Sequence, residues 1–356
     1  LKKIFVSLLL YPLILCSNEL TILGSDNVDY NGEKMILSGG VDLENDFGKI
    51  KADEVILYPA EKETKLKFRC VELIGAVKFT IKGNGTIDCD SAKMDFLNKE
   101  GAFFGKDADS YVVYSETLKG DVPIEVRGHK MRFELFSEKE GEFSMKKIFV
   151  DDDVSIGYQD NLVVSGDSGV YDCQLFTFTL SPNDEGECVI RKVTDDLVLK
   201  CPGEVVVDKK NNRITLISKP SEEGKQIFFN DGSVRAYANL VILEYNESME
   251  PKKVSLRGNV KIMNREGVLT QYILTDRADY TFENLQTNFT ADKGNRVILF
   301  DRPNNLQVSA PGLKITKNPE TKKDTIQGVG DVRFQLIEEE LEMLRKNFLL
   351  EKSQLE

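Results

Sequence analysis

The sequence predicts an all-β fold of stacked antiparallel strand repeats, in two similar halves, closed by a short C-terminal helix. Three observations lead there. First, Val71-Glu72-Leu73-Ile74-Gly75-Ala76-Val77-Lys78-Phe79 places an apolar residue or glycine at every second position, the period of a strand with one buried face. Second, the phrase recurs. Val254-Ser255-Leu256-Arg257-Gly258-Asn259-Val260-Lys261-Ile262 repeats it, Met35 to Leu43 puts Leu37, Gly39, Val41 and Leu43 in the same slots, and Ile326 to Phe334 supplies Gly328, Gly330, Val332 and Phe334. Third, the tail changes period and reads as a helix.

The copies begin at 35, 71, 254 and 326, so they are separated by 36, 183 and 72 residues. A unit near 36 residues with strand patterning and no helix between copies indicates a solenoid-like stack, in which each unit buries its apolar face against its neighbours. The central glycine falls on the expected inward face. Its first expected role is to form a corner, and leaving space for a ligand is the second.

A second phrase alternates with the first: Ala52-Asp53-Glu54-Val55, Cys89-Asp90-Ser91-Ala92, Ser165-Gly166-Asp167-Ser168, Ala238-Asn239-Leu240-Val241 and Thr275-Asp276-Arg277-Ala278. A short polar side chain beside a strand commonly bonds nearby backbone and turns the chain. No second carboxylate recurs at fixed spacing beside these, so a structural role is expected for them rather than catalysis or metal binding.

In order along the chain, Leu1-Lys2-Lys3, the apolar run Ile4 to Cys16 and Ser17-Asn18-Glu19 have the layout of a secretory signal peptide over 1–18. Cys16 adds a lipoprotein reading, against which Leu15 is bulky where a small residue is expected. Strands follow at 37–43, 50–58, 66–79, 86–96 and 110–114, separated by short polar turns such as Pro59-Ala60-Glu61-Lys62 and Asn98-Lys99-Glu100-Gly101. Loops of hairpin length imply an antiparallel meander. The pattern continues through 125–136 and 147–158, where Asp151-Asp152-Asp153 lacks the glycine and distal glutamate of a helix-loop-helix calcium site. The first half is therefore placed at 19–180, a divergent segment at 181–225, a second half at 226–335 and a terminal helix at 336–356. In that helix Ile337, Leu341, Leu344 and Phe348 share a face opposite Glu338, Glu339, Glu340, Arg345 and Lys346. Its expected role is to cover the last open sheet edge or the end of the stack, with a partner-docking helix as the alternative.

Composition bounds the function. A formal net charge of −12, with 47 Lys and Arg spread through the strands, disfavours a nucleic-acid or anionic-membrane surface. One histidine (His129), no tryptophan and no glycine-rich phosphate loop leave little equipment for catalysis. No enzymatic activity, cofactor or metal site is expected. Of six cysteines, five (Cys70, Cys89, Cys173, Cys188 and Cys201) follow the leader; buried thiols and disulfides are equally compatible with their spacing.

The pairing of Leu73-Ile74-Gly75-Ala76-Val77 with Thr86 to Ala92, repeated as Leu256-Arg257-Gly258-Asn259-Val260 with Leu274 to Ala278, resembles the organic-solvent-tolerance (OstA-like) family. That family includes the periplasmic lipopolysaccharide-transport protein LptA and the N-terminal domain of LptD. The resemblance covers most of 30–115 and 226–335. It implies an open β-jellyroll, or β-taco, whose inner faces form an apolar groove for the acyl chains of lipid A, in the periplasm or cell envelope of a Gram-negative bacterium. It also implies other envelope Lpt-type proteins as partners and end-to-end self-stacking. On this reading Val41, Leu73, Val77, Phe79, Leu256, Val260, Ile262, Val332 and Phe334 line the groove. The same alternation suits a secreted structural or adhesive β-solenoid with no lipid ligand, in which these nine residues simply pack on one another. A carbohydrate-active enzyme on a β-helix would need paired carboxylates about 5–10 Å apart.

Overall fold

The computed structural model describes residues 14–15 and 20–350, apart from the short segments 46–47, 62–66, 82–84, 108, 119–121, 137–142, 159–161, 184–185, 193–196, 209, 220–224, 247–250, 267–268 and 322. Of the leader, Ile14–Leu15 pairs with Phe143 and Ser144; the remainder of 1–18, Cys16 included, lies outside the described residues. The described chain is almost entirely antiparallel strand, with one helix, Glu338–Phe348. It divides into two compact units at Gly186/Glu187.

In both units long strands are shared between two shorter neighbours on one side. In Gly85–Asp95, residues 86–88 pair with Val112–Leu118 and residues 91–95 with Glu100–Phe104. Phe143–Tyr158 pairs through 144–151 with Lys130–Phe136 and through 155–158 with Val122–Gly128. In the second unit Pro251–Glu266 is divided in the same way between Leu240–Tyr245 and Val234–Ala238. Leu269–Thr281 is divided between Gln286–Thr290 and Val297–Asp301. Each long strand thus contributes one half to each of two faces, the arrangement of a two-faced β-solenoid.

The change of face is made by a bulge. Four strands carry one residue more than their partner at Gly39-Gly40, Gly75-Ala76, Asp152-Asp153 and Gly258-Asn259. All eight residues have φ between +44° and +85°. Two successive left-handed residues bend a strand sharply and raise its twist. Glycine adopts this conformation without steric cost, and Asp and Asn are the side chains that tolerate it best. The acidic triplet therefore occupies a corner that glycine fills elsewhere.

The expected strand at Ile326–Phe334 is shorter than its pattern suggests. Asp324–Val329 pairs with Gly312–Lys317, and Gly330, at φ +85°, then ends the strand. The helix begins eight residues further on, with Glu338, Glu339 and Glu340 in its first turn and Arg345 and Lys346 in its last, matching its dipole.

Candidate functional site

The corners at Gly75 and Gly258 are built from the two recurring phrases together, and the one at Gly39 takes its polar residue from Asp26. A Cβ on Gly75 would lie 2.3 Å from Asp53 Oδ2, one on Gly39 2.6 Å from Asp26, and one on Gly258 2.9 Å from Asn239 Nδ2. The polar residue of the neighbouring segment lies over the bare glycine. Its backbone also ties to the bulge, as Asn239 N–H donates to the carbonyls of Arg257 and Gly258 at 3.0 and 3.1 Å, and Asp26 N–H to Ser38 at 3.1 Å. At the third corner His129 takes the polar position: its N–H donates to the Asp152 carbonyl at 3.2 Å. The His129 ring stacks on Tyr111 with centroids 4.3 Å apart, and Tyr111 Oη donates to Asp153 at 2.7 Å. Asp151 is held by Arg132 at 2.6 and 3.1 Å. Among the described residues no three His, Cys, Asp or Glu side chains gather as a metal site.

The bulge preserves alternation on either side of itself, so the apolar residues of each long strand stay on one side. In the 7–186 unit the predicted positions Val41, Leu73 and Val77 are each 1% exposed and Phe79 is 8% exposed. Phe79, Phe103 and Phe133 form a chain of rings with centroids 6.4 and 5.5 Å apart. Phe133 lies so close over Gly101 that a Cβ there would meet its Cζ at 2.2 Å. At these positions the interior is filled by its own side chains.

In the 187–356 unit Val260 is fully buried in a layer with Ala238, Ile273, Ala278, Phe289, Val297, Leu299 and Val308. Leu256, Ile262 and Val332 pack against that layer but are only partly buried, as are Val241, Leu306, Ile315 and Ile326. Phe334, expected inside, is 75% exposed. The strand has ended before it; Val332 folds back toward Gly328, where a Cβ would lie 2.4 Å from Val332 Cγ2, and Arg333 bridges to Ser309. The alternation that placed Phe334 inside presupposed a continuous strand, and Gly330 interrupts it.

Sequence reasoning missed the second apolar layer of this unit. Val297–Asp301 is buried on both faces: Val297 and Leu299 point into the first layer, whereas Ile298 and Phe300 join Tyr272, Leu274, Leu336 and Leu344 in another. Leu341, Phe348 and Leu350 pack on this second layer. The helix thus packs on a sheet face. The signal was present in the uninterrupted run Val297-Ile298-Leu299-Phe300, since a strand apolar at both parities is covered on both sides.

The helix is pinned by Glu340, which is buried. One carboxylate oxygen accepts the Ser309 hydroxyl and lies 3.6 Å from Arg296 and 3.7 Å from Arg333; the other accepts Ile337 N–H at 3.0 Å. Arg296 donates in turn to Ser309 Oγ and to the carbonyls of Ser309 and Asp331 at 2.6, 2.8 and 2.6 Å. A buried carboxylate with two guanidinium groups and two hydrogen bonds is fully compensated, whereas removing one partner would strand the rest.

A second polar cluster centres on Asp279, which accepts from Arg257 at 2.7 and 3.0 Å, from Ser255, and from Lys253 at 3.2 Å. Burial on its own would push this carboxyl up, but the bonds from Arg257, Ser255 and Lys253 outweigh it and hold the group below the ordinary aspartate value. The five described cysteines are buried. Burial pushes Cys89, Cys173 and Cys188 up to about 12, so in the folded chain these thiols are protonated at neutral pH.

No family profile matches the chain. No curated relative matches it either. Among solved structures, LptH, described as the LptA-homologous periplasmic component of the lipopolysaccharide transport device from Pseudomonas aeruginosa, matches at 9% identity with a TM-score of 0.30. The match covers 42% of this chain and 87% of that one. At that score the likeness is weak and partial, and it assigns no function to the chain.

Proposed function

We propose that this protein is a non-enzymatic envelope component that shields the acyl chains of a lipopolysaccharide-type glycolipid in the apolar interior of its 187–356 unit. The observation that carries this reading is the set of partly buried apolar side chains, Val241, Leu256, Ile262, Leu306, Ile315 and Ile326, resting on a buried apolar layer. Hydrocarbon laid on them would remove the remaining apolar surface from water at about 25 cal/mol per Å². The signal-like leader and the resemblance of the paired corner phrases to the OstA-like family support export to the periplasm of a Gram-negative cell and hand-over to other Lpt-type proteins. The exposed strands Thr21–Gly24 and Asn27–Tyr30 suit self-stacking. Within this proposal 19–180 and 226–335 are the two β-taco halves, joined by 181–225 and followed by 336–356.

Titrating a fluorescent fatty acid, or lipid A, into the purified chain tests the reading. Saturable binding that Leu256→Glu and Ile262→Glu abolish, with circular dichroism unchanged, is the expected result. Binding that is absent, or indifferent to both substitutions, overturns it. The filled interior at Val41, Leu73 and Val77 favours a second reading, a structural or adhesive β-solenoid, which the same titration would then leave standing.

A further inference from the structure

We propose that Cys188 and Cys201 are built to form a disulfide that closes the hairpin between Cys188–Lys192 and Val198–Cys201. The two residues are direct partners in the antiparallel ladder, at the end of the run Cys188↔Cys201, Val189↔Lys200, Ile190↔Leu199 and Arg191↔Val198. Directly opposed residues project their side chains to the same face. Their Cα atoms lie about 4.5 or about 5.5 Å apart, depending on the hydrogen-bonding class of the pair. Both values fall inside the span of about 4.4–6.8 Å that a disulfide bridges without moving backbone. Both residues are 0% exposed, so a bond between them would be shielded from reductants once made.

None of the other described cysteines is placed this way. Cys70 stands opposite Asp95 and Cys89 opposite Val77, while Cys173 follows the end of its strand, where its N–H donates to the Lys146 carbonyl. Spacing along the chain does not single out the pair, because 188 and 201 are joined only through strand register.

Bond formation breaks two S–H bonds and makes one Sγ–Sγ bond, releasing two protons and two electrons. The oxidant is a disulfide of a thiol-exchange protein or of a small thiol, which takes up both and leaves as two thiols. One cysteine, as thiolate, attacks that disulfide to give a mixed disulfide, and the second displaces it. Burial holds Cys188 at about 12 and Cys201 at about 11, so the closed hairpin offers little thiolate. The exchange accordingly belongs to the folding stage, before the hairpin is covered.

The test refolds the full chain in a mixture of reduced and oxidised glutathione, alkylates the remaining thiols in denaturant and maps the peptides by mass spectrometry. Cys188 linked to Cys201 should be the dominant cross-link, lighter than the separate peptides by two hydrogens, with Cys70, Cys89 and Cys173 alkylated. The oxidised protein should melt several degrees above the same protein held in dithiothreitol, and Cys188→Ala/Cys201→Ala should abolish that difference. Recovery of both cysteines alkylated, their linkage to other cysteines, or an oxidised form that melts no higher than the reduced one overturns the proposal. The peptide map needs no variant, and none of these outcomes bears on lipid binding.

Discussion

The two units share one device and use it differently. Around Gly75 in the 7–186 unit and around Gly258 in the 187–356 unit, the same two-residue left-handed bulge is filled by a neighbouring Asp53 or Asn239. The four residues beside the first pair of corners, Val41, Leu73, Val77 and Phe79, are buried. Beside the second, Val260 is buried but Leu256 and Ile262 are only partly covered, and the outer face carries a helix. A strand pattern therefore settles which side chains share a face. How completely that face is covered depends on segments far away in sequence.

Removing the helix contacts should break the comparison most severely. Leu344→Asp places a charge among Tyr272, Leu274, Ile298 and Phe300 and should cost on the order of 4 kcal/mol. Thermal unfolding should show the 187–356 unit melting earlier, and a near-unchanged transition for 7–186. A single shifted transition would mean that the units unfold together. Next, Leu73→Ala should cost about 3 kcal/mol as a cavity in a sealed core, whereas Leu256→Ala, at a partly exposed position, should cost about 1 kcal/mol. Equal losses in urea unfolding would erase the distinction between the buried and the partly buried position.

The corners supply the next effect. Gly75→Ala adds a Cβ at φ +74° against Asp53 and should destabilise by about 2 kcal/mol. Asp152→Gly, at φ +62°, should be neutral or slightly stabilising as the left-handed cost is relieved. A pH-dependent effect concerns Asp279, whose carboxyl is held below its ordinary value. A depressed folded value means the folded state binds fewer protons, so the contribution is complete above the unfolded value of about 3.9 and is lost as pH falls through the lower folded one. Asp279→Asn should lower stability by about 1 to 2 kcal/mol at neutral pH and flatten the acid limb of its pH dependence below about pH 4. An unchanged acid limb would show that Arg257 and Lys253 do not stabilise the folded state through this group.

Much of the architecture was legible in the residues. Alternation at Val71 to Phe79 and Val254 to Ile262 marked the long strands, and glycine in mid-strand marked corners because few other residues accept its conformation. The Asp and Asn phrases read as structural, without showing that Asp53 and Asn239 lie over the glycines of a neighbouring strand. Phe334 was misplaced because alternation assumes an unbroken strand, and a single glycine at 330 ends it. The helix was found at its apolar spacing, but its seat was not, since nothing local connects Leu344 with Tyr272 or Ile298.

What the sequence alone determined is the periodicity: which side chains face together, where the strands must bend, and where the period changes from two to that of a helix. These follow from backbone geometry, which is local. Only the tertiary structure decided that Glu340 meets Arg296 and Arg333, that Cys188 stands opposite Cys201, and that Val41, Leu73 and Val77 are buried while Leu256 and Ile262 are only partly buried. Those are consequences of register and packing between distant segments, and no period along the chain encodes a distance across it.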